Sequence, residues 1–343
     1  MRVLLCFFAF NICLLLVAET LPSSAKPVPR VQAVPLPHHI TSFQLDGREL
    51  TAIHYDPSDF RVFWHPIMTS KGVSLTRMGH PHDPLTHRHH NSVWLSHMDV
   101  NGVNFWTDYE KEKQGRILNV EISREGYTDS DEAASMRMVN HWVRNADKEV
   151  QMIEIRRTEV RPQDGAQSWW LLVDSEFSAP KGKVATIAPS FFGMIAVRMA
   201  KSIGVHDGGG RMLNSEGDVN EKEVFRKPAH WVDYTGRITN EEDGFAGITL
   251  MNHPANPHSP APFHVRDDGW MGAALIPDAV PNPVQGQPPL VPAAPPIEVS
   301  EARPLRVRYA LWVHDGIASK VEIDRQFARF REMPRPEMHP EKK

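Results

Sequence analysis

With 343 residues, 41% of them hydrophobic and 23% charged, the chain has the apolar content for a sizeable core, which excludes wholesale disorder. A formal net charge of −4 with no long basic run excludes the electrostatic footprint of a nucleic-acid binder. Its 29 prolines, 21 glycines and 9 tryptophans favour a loop-rich, strand-rich fold over a helical one.

Arg2 precedes an apolar run over 3–18, broken only by Asn11, and the small residues Ser23, Ser24 and Ala25 follow. That order reads as a secretory leader over 1–25, cut after Ala25. The run is too short for the ~20 residues that span a bilayer. Cys6 and Cys13, the chain's 2 cysteines, both fall inside it. The mature chain is therefore expected to be exported, periplasmic or extracellular. It should carry no disulfide or thiol chemistry and have no membrane contact once the leader is removed.

Residues 26–37 hold Pro27, Pro29, Pro35 and Pro37 and are expected as an extended linker, with 38–343 forming a single domain. Period-2 patterning or β-branched apolar content predicts strands over 149–160, 169–177, 184–199 and 305–313. The last is the clearest, with Leu305, Val307, Tyr309, Leu311 and Val313 alternating with Arg306 and Arg308. In 149–160 the apolar positions are Val150, Met152 and Ile155, with a break at Ile153. One helix is predicted over 319–333, where Ile323, Phe327 and Phe330 recur at spacings of four and three and Pro334 marks the end. The proline-rich stretch 277–304 reads as an irregular surface loop. Many strands and one C-terminal helix predict an all-β fold, a large β-sandwich or barrel-like domain.

The chemistry concentrates in 80–99. His80, His82, His87, His89, His90 and His97, six of 18 histidines, fall within one short block. Histidine titrates near neutral pH and is the commonest metal ligand. In an extended segment His87 and His89 would point one way and His90 the other. Asp83 and Asp99 are placed to orient an imidazole. Three readings stay open: a loop of locally satisfied histidines, a divalent metal site in 80–97, and metal-free acid/base or substrate-recognition chemistry. A second block over 253–270 gathers His253, Asn256, His258, His264, Arg266 and Trp270 among prolines and reads as a loop. Polar side chains beside an indole suit a sugar, although Trp270 taken alone reads as core. The glycine-rich 208–217 lacks a Gly-Lys-Ser/Thr ending, so phosphate cradling is not supported, and Glu216 is its candidate carboxylate. Residues 231–236 read as a short strand running into a turn, with Asp233 as the acid. No Gly-x-Ser-x-Gly nucleophile elbow is present.

Several blocks together resemble a family of secreted bacterial proteins labelled PmoA, or "methane oxygenase PmoA". They are Thr76-Arg77-Met78-Gly79, His89-His90-Asn91-Ser92-Val93-Trp94, Val100-Asn101-Gly102-Val103-Asn104-Phe105-Trp106, Asn214-Ser215-Glu216-Gly217 and Trp231-Val232-Asp233-Tyr234-Thr235-Gly236. His253-Pro254-Ala255-Asn256-Pro257, His264-Val265-Arg266 and Tyr309-Ala310-Leu311-Trp312-Val313-His314-Asp315-Gly316 continue the match, while 277–304 is longer and richer in proline than the family pattern. The resemblance implies a β-sandwich like galactose-mutarotase-like and other carbohydrate-active folds. On that basis the expected ligand is a carbohydrate or other small molecule. His87, His89 and His90 would supply acid/base groups, with His253 and Glu216 across the cleft. Arg77, Asn256, His264 and Arg266 would read hydroxyls or carboxylates, and Trp94, Asn214 and Asp233 would complete the binding set. No pair of aligned carboxylates is evident, so an epimerase or lyase fits these residues better than a hydrolase. The rivals are a non-catalytic carbohydrate-binding protein and the metal-dependent oxygenase that the label suggests.

Overall fold

A computed structural model describes residues 27–83, 85–108, 114–163, 167–281, 285–289 and 291–339. The expected leader, with both cysteines, lies outside the described residues. Two nine-stranded sheets pack face to face. In the first, the strands lie in the spatial order Val31–Leu36, Ile40–Leu45, Arg48–His54, Phe63–Ile67, Val93–His97, Ser190–Arg198, Trp270–Ile276, Ala261–Arg266 and Pro228–Ala229. In the second, the order is Arg211–Asn214, Trp231–Arg237, Phe245–Asn252, Leu305–Asp315, Ser168–Ser178, Val150–Gln163, Ala134–Arg144 and Gly115–Glu121, with Tyr127–Asp129 also pairing with Ala134–Arg144. The all-β sandwich expected from the sequence is the fold observed.

The segment expected as a linker is a correction. Val31–Leu36 pairs antiparallel with Ile40–Leu45, and Val31 and Ala33 are buried in the core. Its prolines do not prevent this, because the strand lies at the edge of its sheet, where a missing N–H breaks no ladder. Likewise 253–270 is not all loop: Ala261–Arg266 and Trp270–Ile276 are strands. The proline-rich 277–304 contributes Ile297–Val299, which pairs with Ala185–Ile187.

Leu305–Asp315 shows how the sandwich is filled. Val307, Tyr309, Leu311 and Val313 enter the core between the sheets, whereas Ala310 and Trp312 face outward under the C-terminal helix. That helix, Lys320–Glu332, is capped by Ser319, whose hydroxyl accepts from the Glu322 amide. Ile323, Phe327 and Phe330 press onto Trp170, Leu172 and Trp312 of the second sheet. The helix therefore covers one outer face, and the first sheet's outer face is left to build something else.

The core contains one fully buried ion pair. On Val150–Gln163 the inward residues after Met152 are Glu154, Arg156, Thr158 and Val160, so Ile155 lies on the opposite face from the core set, contrary to the sequence phase. Arg156 grips Glu154 with two bonds of 2.7 and 2.8 Å, and both side chains are wholly buried. Ser175, Asn140 and Trp142 also donate to this carboxylate. The guanidinium lies over Trp64 of the other sheet, 5.1 Å from its ring. Removing one partner would strand the other charge in the core. We predict that Glu154→Ala lowers unfolding free energy in urea by about 3–5 kcal/mol; a loss below about 1 kcal/mol would contradict this role.

Candidate functional site

Period-2 alternation decides which side chains reach the uncovered face of the first sheet. Val93, Leu95, Ile195, Val197, Phe263, Val265, Met271 and Ala273 fill the core. Their neighbours Trp94, Ala196, Arg198, His264, Arg266 and Trp270 therefore point the other way. Register places them side by side: Trp94 opposite Ala196, Arg198 opposite Trp270, and Arg266 opposite Trp270. Trp94, Trp106 and Trp270 pack with ring centroids 5.3–5.7 Å apart. This aromatic platform forms the floor.

Two loops wall the platform, and a single buried side chain ties them together. Arg61, 2% exposed, donates to the carbonyls of His89 (2.8 Å), Trp106 (2.7 Å) and Phe105 (3.3 Å) and to Asn91 Oδ1 (2.5 Å). Burial lowers its pKa to about 10, which still leaves it charged at neutral pH. The histidine loop is further pinned by the Gly79 amide on the His90 carbonyl and by Ser92 Oγ on Thr76 Oγ1 at 2.7 Å.

Between these walls lies a cavity of about 510 Å3. His80, His87, His89 and His90 cluster on one side, with ring centroids 4.6–6.1 Å apart from His90, and His264 lies beside Trp270 and Phe192. The 85–90 segment turns instead of extending, so His90 joins His87 and His89 instead of opposing them. Arg198, Arg226, Arg266 and Asp268 complete the lining.

The histidines differ in chemistry. His87 Nδ1 is 2.8 Å from Asp83 Oδ2, which fixes an Nδ1–H tautomer and leaves Nε2 as the basic nitrogen. His80 is spent: its Nδ1 accepts the amides of His82 and Asp83, and its Nε2 donates to Asp268 at 2.7 Å. Burial, then the charge of Arg198, lowers the His80 pKa despite that carboxylate. Asp268 is also held by Arg198 Nη1 at 2.8 Å. Its own burial opposes ionisation, but Arg198 and His80 keep its carboxyl below the usual range. Burial holds His89 and His264 at about 3, with Arg61 and Arg266 as the next causes, and pushes His90 strongly downward. Those three rings are neutral acceptors or donors at pH 7. His90 Nδ1, His264 Nδ1, Trp270 Nε1, Arg226 Nε and two nitrogens of Arg198 are buried with no partner among the described residues. Buried polar atoms are rarely left so.

Of the sequence candidates, His87, His89, His90, His264 and Arg266 converge on the cavity. The others do not. Trp94 is fully buried beneath His90 and Trp270, so it supports the floor without reaching a ligand. Arg77 is outside the lining and donates to the Met78 carbonyl. Asn214 is buried and shapes a turn by accepting the amides of Glu216 and Asp218. Glu216 is exposed and bonded by Ser215. Asp233 lies in the second sheet, bonded to Thr235, Thr249 and His314. His253 packs edge-on against Phe330 of the C-terminal helix, and Asn256 bonds both backbone groups of Arg308. Asp99 holds His97 through its carbonyl, not its carboxylate. Sequence reading missed Arg61, Arg198, Arg226 and Asp268. The signal for Arg198 was present: a charge in phase with Ala196, ending an apolar strand.

The cavity histidines do not form a group with three ligand atoms within 4.8 Å; among the described residues that spacing occurs for His82, His206 and Asp207. His82 Nε2 is 2.8 Å from both Asp207 oxygens. These three, on the surface beside His80, could hold a divalent ion. Among the described residues no helix is long and apolar enough to cross a membrane.

A family model described as "Family of unknown function (DUF6807)" matches residues 41–328. The chain belongs to DUF6807. Nothing indicates membership of a PmoA family, so that resemblance is corrected, and the oxygenase reading that rested on its label loses its basis. DUF6807 names no activity, and no curated protein matches this chain. Among solved structures, an AgaA GH36 alpha-galactosidase from Geobacillus stearothermophilus aligns at 9% identity and TM-score 0.31, covering 65% of this chain and 30% of that one. The galactosidase domain of the alpha-galactosidase-sucrose kinase AgaSK aligns at 10% identity and TM-score 0.36, covering 83% and 40%. A putative mutarotase, YeaD, from Salmonella typhimurium aligns at 10% identity and TM-score 0.32, covering 83% and 97%. The chain thus spans less than half the length of the galactosidases it matches.

The depressed histidine pKa values carry a pH dependence whose sign is fixed. His89 and His264 at about 3 and His97 at about 4 take up protons in the unfolded chain, near pH 6.5, well before they do so folded. Their contribution is fully present above about pH 6.5 and is lost as pH falls, each by up to about 1.4 kcal/mol per pH unit. Urea unfolding at pH 7.5 and pH 5.0 should show a marked drop for the wild type. His264→Phe should drop by about 2 kcal/mol less; equal drops would contradict the assignment.

Proposed function

We propose that the outer-face cavity binds a carbohydrate ring carrying a carboxylate, and that His87 moves a proton at the carbon next to that carboxylate. The observation that carries this reading is the convergence, around one 510 Å3 cavity, of an aromatic floor, neutral imidazoles and arginines. The largely buried Trp270 and its aromatic neighbours give the floor an apolar patch for a ring face, and His90 and His264 read hydroxyls as neutral donors or acceptors. Arg226, half-buried in the lining, pairs with the carboxylate, and the buried Arg198, held by Asp268, adds positive charge behind it. Neutralising it stabilises the charge that develops when the α-proton leaves, and His87 Nε2, left without a proton when Nδ1–H donates to Asp83, is the acceptor. Protonation of the opposite face from solvent, with His87 shedding the proton it took, gives an epimer; departure of the β-oxygen carrying that proton from His87 gives an unsaturated product.

Asp268 is the only carboxylate among the described lining residues, and it is engaged by Arg198 and His80. A glycosidase needs two working carboxylates, so the epimerase or lyase reading is favoured over the hydrolase. A binding-only reading has one observation on its side: His90 and His264 are held neutral and neither is bonded to a carboxylate among the described residues. The apolar leader and the confinement of both cysteines to it support export of the mature chain.

Calorimetry with a uronate and the matching neutral sugar should give binding at least about tenfold tighter for the uronate, a preference lost in Arg226→Gln. In D2O the wild type should exchange the α-proton of a bound uronate, and His87→Gln should slow that exchange by about 100-fold or more. Uronate binding without exchange would leave the binding-only reading; no preference for uronate would overturn the proposal.

A further inference from the structure

The second sheet carries another cavity, of about 420 Å3, on its outer face beside the C-terminal helix. Because Arg156, Thr158 and Val160 face the core, Arg157, Glu159 and Arg161 face outward into it. Arg308 from the central strand Leu305–Asp315, Arg329 from the helix and Arg335 from the segment after it complete the polar lining. Five guanidinium groups thus meet at one place.

Carboxylates balance only part of that charge. Glu159 is shared by Arg157 and Arg161 at 2.7 and 2.6 Å. Arg308, 2% exposed, lies 3.2 Å from Asp174 and donates through Nη1 to the carbonyls of Met333 and Pro334. Arg329 bonds only the side-chain carbonyls of Gln163 and Gln326, and neither it nor Arg335 has a carboxylate within 4.0 Å among the described residues. Five positive charges against Glu159 and Asp174 leave an excess of three. A buried arginine at the base and two uncompensated arginines at the mouth suit an anion with several oxygens, since guanidinium planes pair bidentately with tetrahedral oxyanions.

We infer that this cavity binds sulfate or phosphate, free or as an ester group. The site stands apart from the uronate reading, because its residues belong to the other sheet.

Calorimetry at constant ionic strength, with sodium sulfate and sodium phosphate against sodium chloride, tests it on the full chain. Saturable binding of sulfate or phosphate is expected, weakened about tenfold in Arg335→Ala or Arg329→Ala and lost in the double variant. Both side chains are exposed, so the fold is retained, and circular dichroism checks this. Arg124→Ala, an exposed arginine in another turn, should bind as the wild type does. Glucose 6-sulfate binding more tightly than inorganic sulfate assigns the site to an ester, and equal binding assigns it to the free ion; either supports the inference. Sulfate and phosphate binding no tighter than chloride, or binding that survives in the double variant, overturns it. Uronate affinity should be unchanged in the double variant, which separates this site from the cavity on the first sheet.

Discussion

The candidate site depends on one buried guanidinium. Arg61 sits under the two loops that wall the cavity and satisfies four of their oxygens, three of them backbone carbonyls. Those carbonyls lie in irregular chain beside an aromatic platform, where water is excluded and neither sheet ladder can reach them. An arginine suits this task because its five donors are held in a fixed plane, so one side chain sets the distance between two loops. The cost is a charge withdrawn from water, which appears as its lowered pKa. What it secures is the placement of His89, His90 and Trp106 on the same cavity.

The same logic separates the two faces of the molecule. Both sheets alternate, so each presents one row of side chains to the shared core and one row outward. On the second sheet the outward row is apolar over Trp170, Leu172 and Trp312, and a helix with Ile323, Phe327 and Phe330 covers it. On the first sheet the outward row mixes tryptophans with His264, Arg198 and Arg266, and among the described residues only the short helix Asn220–Val224 touches its edge, where Glu221 pairs with Arg266. An aromatic floor under polar walls is the arrangement on which the proposed binding of a polar ligand with an apolar side rests.

Much of this was legible in the sequence, and the rest failed for identifiable reasons. Leu305 to Val313 and the Ile323, Phe327, Phe330 spacing announced a strand and a helix directly, because their partners in the core are apolar and periodic. The histidine density over 80–97 pointed to a loop that lines the first sheet's cavity. Its convergence was not readable, since it is set by Arg61, some thirty residues away in the chain, and by turns that bring His90 round to His87. Asn214, Asp233 and Asn256 looked like ligand readers because of their residue types. In the fold they satisfy backbone groups, threonine hydroxyls and a buried histidine, a use set by where the strands and the loop after Asn252 place them. Asp268 escaped notice because its partners His80 and Arg198 come from distant segments. The phase of Val150–Gln163 misled because an ion pair occupies core positions where apolar residues are expected.

The central claim is that the imidazoles of the first sheet's outer face act as one ligand-binding group. Nitrogen-15 NMR of the histidine side chains during titration with a uronate tests it most directly. The account predicts that His87, His90 and His264 shift together along one saturating curve, while His253, behind the C-terminal helix, stays unmoved. Independent curves for those three rings, or a response confined to His253, would contradict it.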